Sequence, residues 1–310
     1  MQRFAVSVAY VGSRFSGWAA QTHAQHVETV CGAIDGALDR LVGQGNHCGA
    51  VVSSRTDKGV HAIMNTFHVD VRRGPREGRM GTESGMFTSE DIVGGLNAHL
   101  MATGYHNDIS IQGAVATDEE NFHARFSAKG REYVYKIVPC TKKKRAGFEM
   151  GGFKESSLVC GHRAVPGAPL ASPLFQANRA WCLEGFPDLA VGAMEEASQH
   201  LVGKFDFTSL RGPDCQAESP VKEVSSVSVD RLAAGPSLGH PMLPGSLVLV
   251  TVRAPRFLHR MVRNIAGLLV AVGKGDLPPG AVPGIIEARD RRRAPACAPP
   301  HGLYLSRVWY

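Results

Sequence analysis

Apolar and polar residues alternate along many short segments of this chain, beginning at residues 3–10, where every second residue is apolar. A period of two indicates a β-strand that buries one face and leaves the other face more polar. The same pattern predicts further strands over residues 49–53, 65–71, 108–115, 130–138, 222–229, 246–253 and 303–309.

Helical spacing of apolar residues interrupts these strands at four places. The predicted helices cover residues 27–41, 92–100, 188–202 and 257–272. Thr88 and Asp91 have the spacing of a capping box at the start of the second helix. Gly203 is placed to act as the C′ residue that ends the third helix.

The order of the predicted elements favours an α+β fold in two layers. It runs β-α-β-β-α-β-β and then α-β-β-α-α-β, which lacks the strict alternation of a parallel doubly wound sheet. We expect the boundary between two halves near residues 116–128, so that the halves cover residues 1–120 and 121–310. Stretches rich in glycine, proline or charge are predicted to be loops or insertions, at residues 72–88, 139–180, 233–245 and 274–300.

Composition adds limits to this picture. The 310 residues are 44% hydrophobic, which is enough for a sizeable core, and the net charge of +6 favours a polyanionic partner. Seven cysteines without a C-x-x-C pair argue against a disulfide framework or a thiolate zinc site, so we expect a reducing compartment and no bound metal. The longest strongly apolar stretch, residues 265–272, is shorter than the roughly 20 residues that span a bilayer, and we expect no membrane span.

Several familiar motifs are absent from the chain. Residues 12–18 have the glycine spacing of a phosphate loop, but Trp18 stands where the lysine is required. There is no G-x-G-x-x-G after a strand, no H-E-x-x-H and no G-x-S-x-G. Nucleotide hydrolysis, nicotinamide chemistry and serine hydrolysis therefore lose support. No Arg-rich or signal-like leader precedes the first strand, and we expect a cytoplasmic or mitochondrial location.

The segment that carries chemistry is S-R-T-D-K-G-V-H at residues 54–61, which follows the predicted strand 49–53. Functional carboxylates often lie on loops at the ends of strands. Arg55 and Lys58 place positive charge near Asp57, which would favour its ionised form. By itself, however, an Arg-x-Asp loop is more often a structural salt bridge or turn.

This segment resembles the signature G-R-T-D-x-G-V-H of the TruA-type tRNA pseudouridine synthases. Further blocks similar to that family follow in the same order at residues 10–18, 121–128, 131–135, 205–209, 257–264 and 302–305. Ser54 replaces the glycine of the signature, and Lys58 replaces the alanine common in bacterial members. These departures and an expanded segment after residue 140 point toward the eukaryotic branch of the family.

The resemblance implies a reaction and a fold. The reaction is isomerisation of uridine in RNA, which breaks the N1–C1′ bond and rejoins the uracil through C5, and it needs no cofactor. The implied partner is tRNA, in or near the anticodon stem-loop, and bacterial relatives form homodimers. The implied fold has two similar α/β halves that share a mainly antiparallel central sheet, with the active cleft between them.

The resemblance also implies roles for five residues. Asp57 falls on the catalytic aspartate and must act as nucleophile or base in its ionised form. Tyr133 matches the tyrosine that lies against the target base, and Arg263 the arginine that pairs with the carboxylate. Leu303 is a candidate for the apolar wall of the uracil pocket, and Arg55 for the space near the displaced base.

Each of these residues also has a purely structural interpretation. Tyr133 and Leu303 fit core strand positions, and Arg263 fits the polar side of an apolar helix. The basic runs 142–145 and 291–293 could hold phosphates, although such runs are usually solvated loops. A catalytically inactive RNA-binding scaffold and a hydrolase that uses Asp57 with Glu132 are the alternative functions.

Overall fold

The computed structural model describes residues 1–19, 27–73, 86–117, 122–140, 178–232 and 247–310. Eleven strands and five α-helices lie within these ranges. The strands are β1 (Gln2–Tyr10), β2 (Val51–Val52), β3 (His61–Val71), β4 (Ile109–Thr117), β5 (Gly130–Cys140), β6 (Trp181–Glu184), β7 (Gly203–Asp206), β8 (Val221–Val224), β9 (Ser226–Leu232), β10 (Leu247–Ala254) and β11 (Leu303–Trp309). The helices are α1 (Val30–Val42), α2 (Ser89–Ala102), α3 (Val191–Gln199), α4 (Met261–Gly273) and α5 (Ala281–Glu287).

Nine of these strands form one sheet. Its order is β4-β1-β3-β11-β5-β10-β9, with β2 paired to β3 and β6 paired to β5. The pairs β11–β3 and β5–β6 are parallel, and the other pairs of this sheet are antiparallel. The predicted α+β class with a mainly antiparallel central sheet is confirmed.

The two halves of the sheet have the same strand order. In the first half the strands lie side by side in the order last, first, next to last, as β4-β1-β3. The second half repeats this order as β11-β5-β10. Each half also has a helix between its first and next-to-last strands and another before its last strand, namely α1 and α2, then α3 and α4. The C-terminal strand β11 therefore joins the halves, because it pairs with both β3 and β5. A boundary at residue 120 stays a prediction, since residues 118–121 lie outside the described ranges.

The core lies between the sheet and its helices. Alternate residues of β1, from Phe4 to Tyr10, are buried as the period of two predicts. In α4 twelve of the thirteen residues are buried, and Arg263 is the exception. A helix that is buried on nearly all sides belongs in the interior, and its one side chain that is not buried, Arg263, marks the direction of the site.

Helix starts were predicted best where a cap is present. Thr88 and Asp91 form the predicted capping box of α2. Helix α1 begins at Val30 instead of residue 27, because the Thr29 side chain accepts the Gly32 N–H and caps the helix there.

Some predicted elements were wrong. Gly203 does not end a helix; α3 stops at Gln199, and Gly203 opens β7 with a φ of 128°. The predicted strand 222–229 is two strands, β8 and β9. Residues 274–300 contain α5, whose Pro283 lies in the first turn, where a missing N–H breaks no helical bond.

Candidate active site

The Asp57 loop joins β2 to β3 in the first half of the sheet. The Val60 N–H donates to the Asp57 carbonyl, and Gly59 has a φ of 79°, which glycine adopts readily. This tight turn places the Asp57 side chain at the surface of the cleft, where 26% of it is exposed. A reactant can therefore reach the carboxylate.

Both oxygens of the Asp57 carboxylate face side chains of the second half. Arg263 Nη1 donates to Oδ2 at 2.9 Å, across 206 residues of sequence. His259 Nε2 lies 3.4 Å from Oδ1. The predicted meeting of Asp57 with Arg263 is confirmed, and His259 is a neighbour that sequence reasoning missed. His259 lies in the turn before α4, which begins at Met261, so helical spacing from Arg263 does not account for its position.

The surroundings of the second ring nitrogen of His259 indicate which nitrogen carries the proton when the ring is neutral. His259 Nδ1 is buried and has no hydrogen-bond partner among the residues that the structure describes. A proton on Nδ1 would be left without an acceptor, so in the neutral ring Nε2 is the better place for it. His259 then presents an N–H toward the Asp57 carboxylate.

Arg263 is held in place from its other side. Its Nε donates to the Ala298 carbonyl at 2.8 Å, and the Ala298 N–H donates to the Arg263 carbonyl at 3.2 Å. This segment approaches α4 very closely, since a Cβ on Gly267 would lie 2.2 Å from the Ala296 carbonyl oxygen. Only glycine fits at that position, and the guanidinium is thereby aimed at Asp57.

The basic run 291–293 has a supporting function next to this helix. Arg291 donates to the side-chain oxygen of Asn264, and the Asn264 amide donates to the Leu210 carbonyl. Arg292 pairs with Asp290 at 2.8 Å and is largely exposed. At least Arg291 is therefore engaged in anchoring α4; phosphate contact by the run stays a prediction. The second basic run, 142–145, lies outside the described residues.

A buried polar network lies beneath the Asp57 loop. The hydroxyls of Tyr10 and Thr56 are 2.8 Å apart. The Asn65 amide donates to the Ser54 carbonyl at 3.0 Å and to the Tyr10 hydroxyl at 3.3 Å. Burial raises the pKa of the Tyr10 phenol, which keeps it neutral and able to donate. These bonds fix the loop on both sides of Arg55.

The N-terminal block at residues 10–18 packs directly on this loop. The Trp18 N–H donates to the Thr56 carbonyl at 3.1 Å. Gly17 has a φ of 103°, and a Cβ there would lie 2.7 Å from the same carbonyl oxygen. The block therefore supports the Asp57 loop.

Tyr133 lies on β5, beside the same loop. Its neighbours across the sheet are Val252 and Leu305. The rings of Tyr133 and Phe257 pack edge to face, with their centroids 5.1 Å apart. The phenol oxygen is 2.8 Å from Ser54 Oγ. Burial raises the pKa of the phenol, whereas the bond to Ser54 works in the opposite direction. The structure thus brings Asp57, Arg263 and Tyr133 into one region.

Leu303 opens β11 opposite Tyr135 and is buried. The turn before it is fixed by Tyr135, whose hydroxyl donates to the Pro299 carbonyl at 2.7 Å. A Cβ on Gly302 would lie 2.6 Å from the Tyr135 ring, so this turn also requires glycine. A place for Leu303 in a uracil-binding wall stays a prediction.

Arg55 and Lys58 are both exposed, and within the described ranges neither forms an ion pair. Their closeness in sequence led us to expect that they place positive charge near Asp57. The side chains that contact the carboxylate come from the second half, Arg263 as the resemblance implied and His259 in addition.

The face of β5 opposite Tyr133 carries Glu132. Its carboxylate accepts from Arg253 Nε at 2.6 Å. Although burial alone would raise the pKa of Glu132, the Arg253 bond holds it below the usual value. Glu132 is therefore engaged away from Asp57, as alternation along a strand predicts.

Arg131 connects the two halves beneath the site. Its guanidinium donates to the carbonyls of Pro255, Ser53 and Arg125 at 2.7–3.1 Å. Only 5% of the residue is exposed, and burial lowers its pKa. Ser53 precedes the Asp57 loop and Pro255 precedes α4, so one buried side chain ties both walls of the cleft together.

Among the described residues there is no cluster of three or more histidine, cysteine, aspartate or glutamate side chains that could hold a metal ion. No helix in the same ranges is both long and apolar enough to cross a membrane. The candidate site itself contains one carboxylate, a guanidinium, an imidazole and a buried phenol.

A mainly antiparallel sheet of two similar halves, with an aspartate–arginine pair and a tyrosine where they meet, agrees with the pseudouridine synthase fold. Residues 197–310 match the family model described as tRNA pseudouridine synthase. The whole chain aligns with tRNA pseudouridine synthase A of Bordetella petrii at 34% identity, covering 92% of that protein, and with that of Nitratidesulfovibrio vulgaris at 34% identity, covering 100%. The corresponding protein of Agrobacterium fabrum is 32% identical, with 93% of its length covered. The chain belongs to the tRNA pseudouridine synthase A family.

Proposed function

We propose that this protein isomerises uridine to pseudouridine in tRNA, in or near the anticodon stem-loop, with Asp57 as the catalytic carboxylate. The observation that carries the proposal is the Asp57–Arg263 ion pair, formed between residues 206 apart in the sequence. Tyr133 lies beside the same loop through its bond to Ser54. Family membership supports the same reaction.

The proposed reaction is an intramolecular transfer of the uracil. The N1–C1′ bond breaks, the base turns, and C5 bonds to C1′; C5 loses its proton, and N1 gains one. Asp57 starts the cleavage either by attack on the sugar or by removal of a sugar proton, and both routes use the ionised carboxylate. Arg263 and His259 orient that carboxylate, one at each oxygen.

Tyr133 and Leu303 are the proposed contacts of the base. An aromatic face stacks on uracil, and a phenol can accept or pass the proton that leaves C5. The small exposed fraction of Tyr133, 7%, implies that the target uridine must leave its helix to reach the site. Arg55, which is exposed two residues before Asp57, is proposed to occupy the space near the displaced base.

Two alternative functions predict different products. An inactive scaffold would bind tRNA without changing it, and its pairing of Asp57 with Arg263 would have only a structural purpose. A hydrolase would release free uracil. The engagement of Glu132 by Arg253 disfavours the hydrolase, which would need Glu132 as a second carboxylate in the cleft.

Three finer statements are also proposals. Membership of the eukaryotic branch rests on Ser54, Lys58 and the expanded segment after residue 140, whereas the relatives given above are bacterial. A homodimer rests on the behaviour of the bacterial family. A cytoplasmic or mitochondrial location rests on cysteine usage.

The proposal is tested with purified protein and tRNA transcripts. Wild type should form pseudouridine, which chemical labelling maps to individual uridines. Asp57→Ala should reduce the single-turnover rate by at least about a thousandfold, because the initiating group is absent. Its affinity for tRNA, measured by filter binding, should stay within a few fold of wild type. Binding without modification by wild type would support the scaffold, and release of uracil would support hydrolysis.

A further inference from the structure

The Ser54 hydroxyl has no function in the reaction described so far, although it contacts a group that handles the base. Ser54 Oγ lies 2.8 Å from the Tyr133 phenol oxygen, across 79 residues of sequence. In the described part of the chain, Ser54 is the hydrogen-bond partner of that phenol. A buried polar group that loses its partner is costly, so this bond constrains the phenol.

The serine itself is held rigidly. Its carbonyl accepts the Asn65 amide at 3.0 Å, and Asn65 is fully buried. The preceding residue, Ser53, accepts from Arg131 through both its carbonyl and its hydroxyl. The backbone on either side of the Ser54 side chain is therefore anchored, and the hydroxyl is preorganised toward Tyr133.

The same loop carries Asp57 three residues later. Because the Tyr133 phenol is bonded to Ser54 of this loop, the phenol and the carboxylate lie in the same part of the cleft. One anchored loop therefore fixes the position of the Asp57 carboxylate directly and that of the Tyr133 phenol through its bond to Ser54. The distance between the group that starts cleavage and the group that receives the turned base is fixed by this arrangement.

We propose that Ser54 is a positioning residue that orients the Tyr133 phenol for movement of the C5 proton. This inference rests on the proposed function. The signature that residues 54–61 resemble has glycine at this place, and glycine has no hydroxyl. Ser54 thus sets this chain apart from that pattern in how Tyr133 is held.

The test uses tRNA transcripts with hydrogen or deuterium at C5 of uridine, under single-turnover conditions. Ser54→Ala should slow pseudouridine formation by about tenfold, the size expected for one lost hydrogen bond. The isotope effect at C5 should increase, because the step that moves this proton becomes slower. Affinity for tRNA should change less than about twofold, and Ser54→Thr, which keeps the hydroxyl, should restore most of the rate.

A double-mutant cycle separates positioning from loop folding. In a Tyr133→Phe background the phenol is gone, so Ser54→Ala should cause no further slowing. Ser53→Ala is the matched control: it removes a neighbouring hydroxyl that bonds Arg131, and it should lower the melting temperature without changing the isotope effect. Ser54→Gly supplies a second variant without the hydroxyl if Ser54→Ala folds poorly.

Three results would overturn the inference. One is a rate and isotope effect of the hydroxyl-free variants equal to those of wild type. Another is an equal slowing by Ser54→Ala with and without the phenol, which would mean that Ser54 acts only through the loop. A wild type that forms no pseudouridine would refute the proposed function and this inference together, whereas an active wild type with unaffected Ser54 variants refutes the inference alone.

Discussion

The two sides of the Asp57–Arg263 pair are built in different ways. Asp57 stands on a short loop held by bonds between buried polar side chains, chiefly Tyr10, Thr56 and Asn65. Arg263 stands on a helix in which the twelve other residues are buried. The carboxylate side therefore depends on hydrogen bonds, and the guanidinium side depends on close apolar packing.

This difference predicts how each side fails. Hydrogen bonds can be removed singly at a modest cost, because neighbouring bonds still hold the loop. A substitution that enlarges a closely packed side chain reduces stability more strongly, because a dense interior has no room for an added atom. We expect changes around α4 to be more damaging than changes of similar size beneath the loop.

The largest effect is expected when the pair itself is broken. Arg263→Gln leaves the Asp57 carboxylate with only the 3.4 Å contact to His259 and should slow single-turnover pseudouridine formation by about a hundredfold. Arg253→Gln is the matched control, since it breaks the ion pair with Glu132 on the opposite face of β5. If both variants lose equal activity, the site does not depend specifically on Arg263.

The second-largest effect is expected from crowding at α4. Gly267→Ala would place a Cβ 2.2 Å from the Ala296 carbonyl oxygen and should reduce the free energy of unfolding by about 1–3 kcal/mol. Gly36→Ala, in α1, is the control, because no atom lies within 4 Å of its added Cβ. Urea denaturation measures both. An equal stability of the two variants would contradict the close packing of α4.

Removing one bond beneath the loop should have a smaller effect. Tyr10→Phe deletes the hydroxyl shared by Thr56 and Asn65 and should reduce the free energy of unfolding by about 1 kcal/mol. The remaining bond from Asn65 to the Ser54 carbonyl should preserve most of the activity. A loss of activity as large as that of Arg263→Gln would show that the carboxylate side is the more fragile one.

A fall in pH should gradually reduce the free energy of unfolding, through His61 in the first half. His61 Nδ1 accepts the Gly12 N–H, and burial lowers the pKa of His61 to about 4. Below its ordinary pKa of about 6.5, the unfolded chain takes up a proton that the folded protein refuses, so stability falls between pH 6.5 and 4 and is constant above that window. Burial also lowers the pKa of His68, on the same strand, to about 4, so His61→Gln should make this slope shallower without abolishing it in urea denaturation across pH 7.5 to 4.5. Parallel slopes for the two proteins would rule out His61 as the source.

Much of the fold was predictable because buried apolar residues recur along the sequence with the period of a strand or a helix. The alternation over residues 3–10 identifies β1, and the Thr88–Asp91 capping box identifies the start of α2. Short or irregular elements escaped, such as β6 with four residues and α5 with its internal proline and glycine. Four residues carry too little periodicity for detection, and proline or glycine also occurs commonly in loops.

The candidate site was predictable only in part. Asp57, Tyr133 and Arg263 were found by resemblance to a family; Arg263 contacts Asp57, and Tyr133 contacts Ser54 of the same loop. His259 and Arg131 were missed as neighbours because their partners are distant in the sequence. Arg55 and Lys58 were expected to place positive charge near the carboxylate because they adjoin it in sequence; among the described residues neither forms an ion pair with it.

The sequence by itself determined the kinds of element, their order and the chemical groups available, because each of these depends on residues close together in the chain. The tertiary structure alone decided which groups meet. The path of β11 between β3 and β5 brings two halves together, and the close approach at Gly267 directs Arg263 toward Asp57. Asp57 and Arg263, for example, are 206 positions apart, and a local pattern contains no information about contacts over such separations.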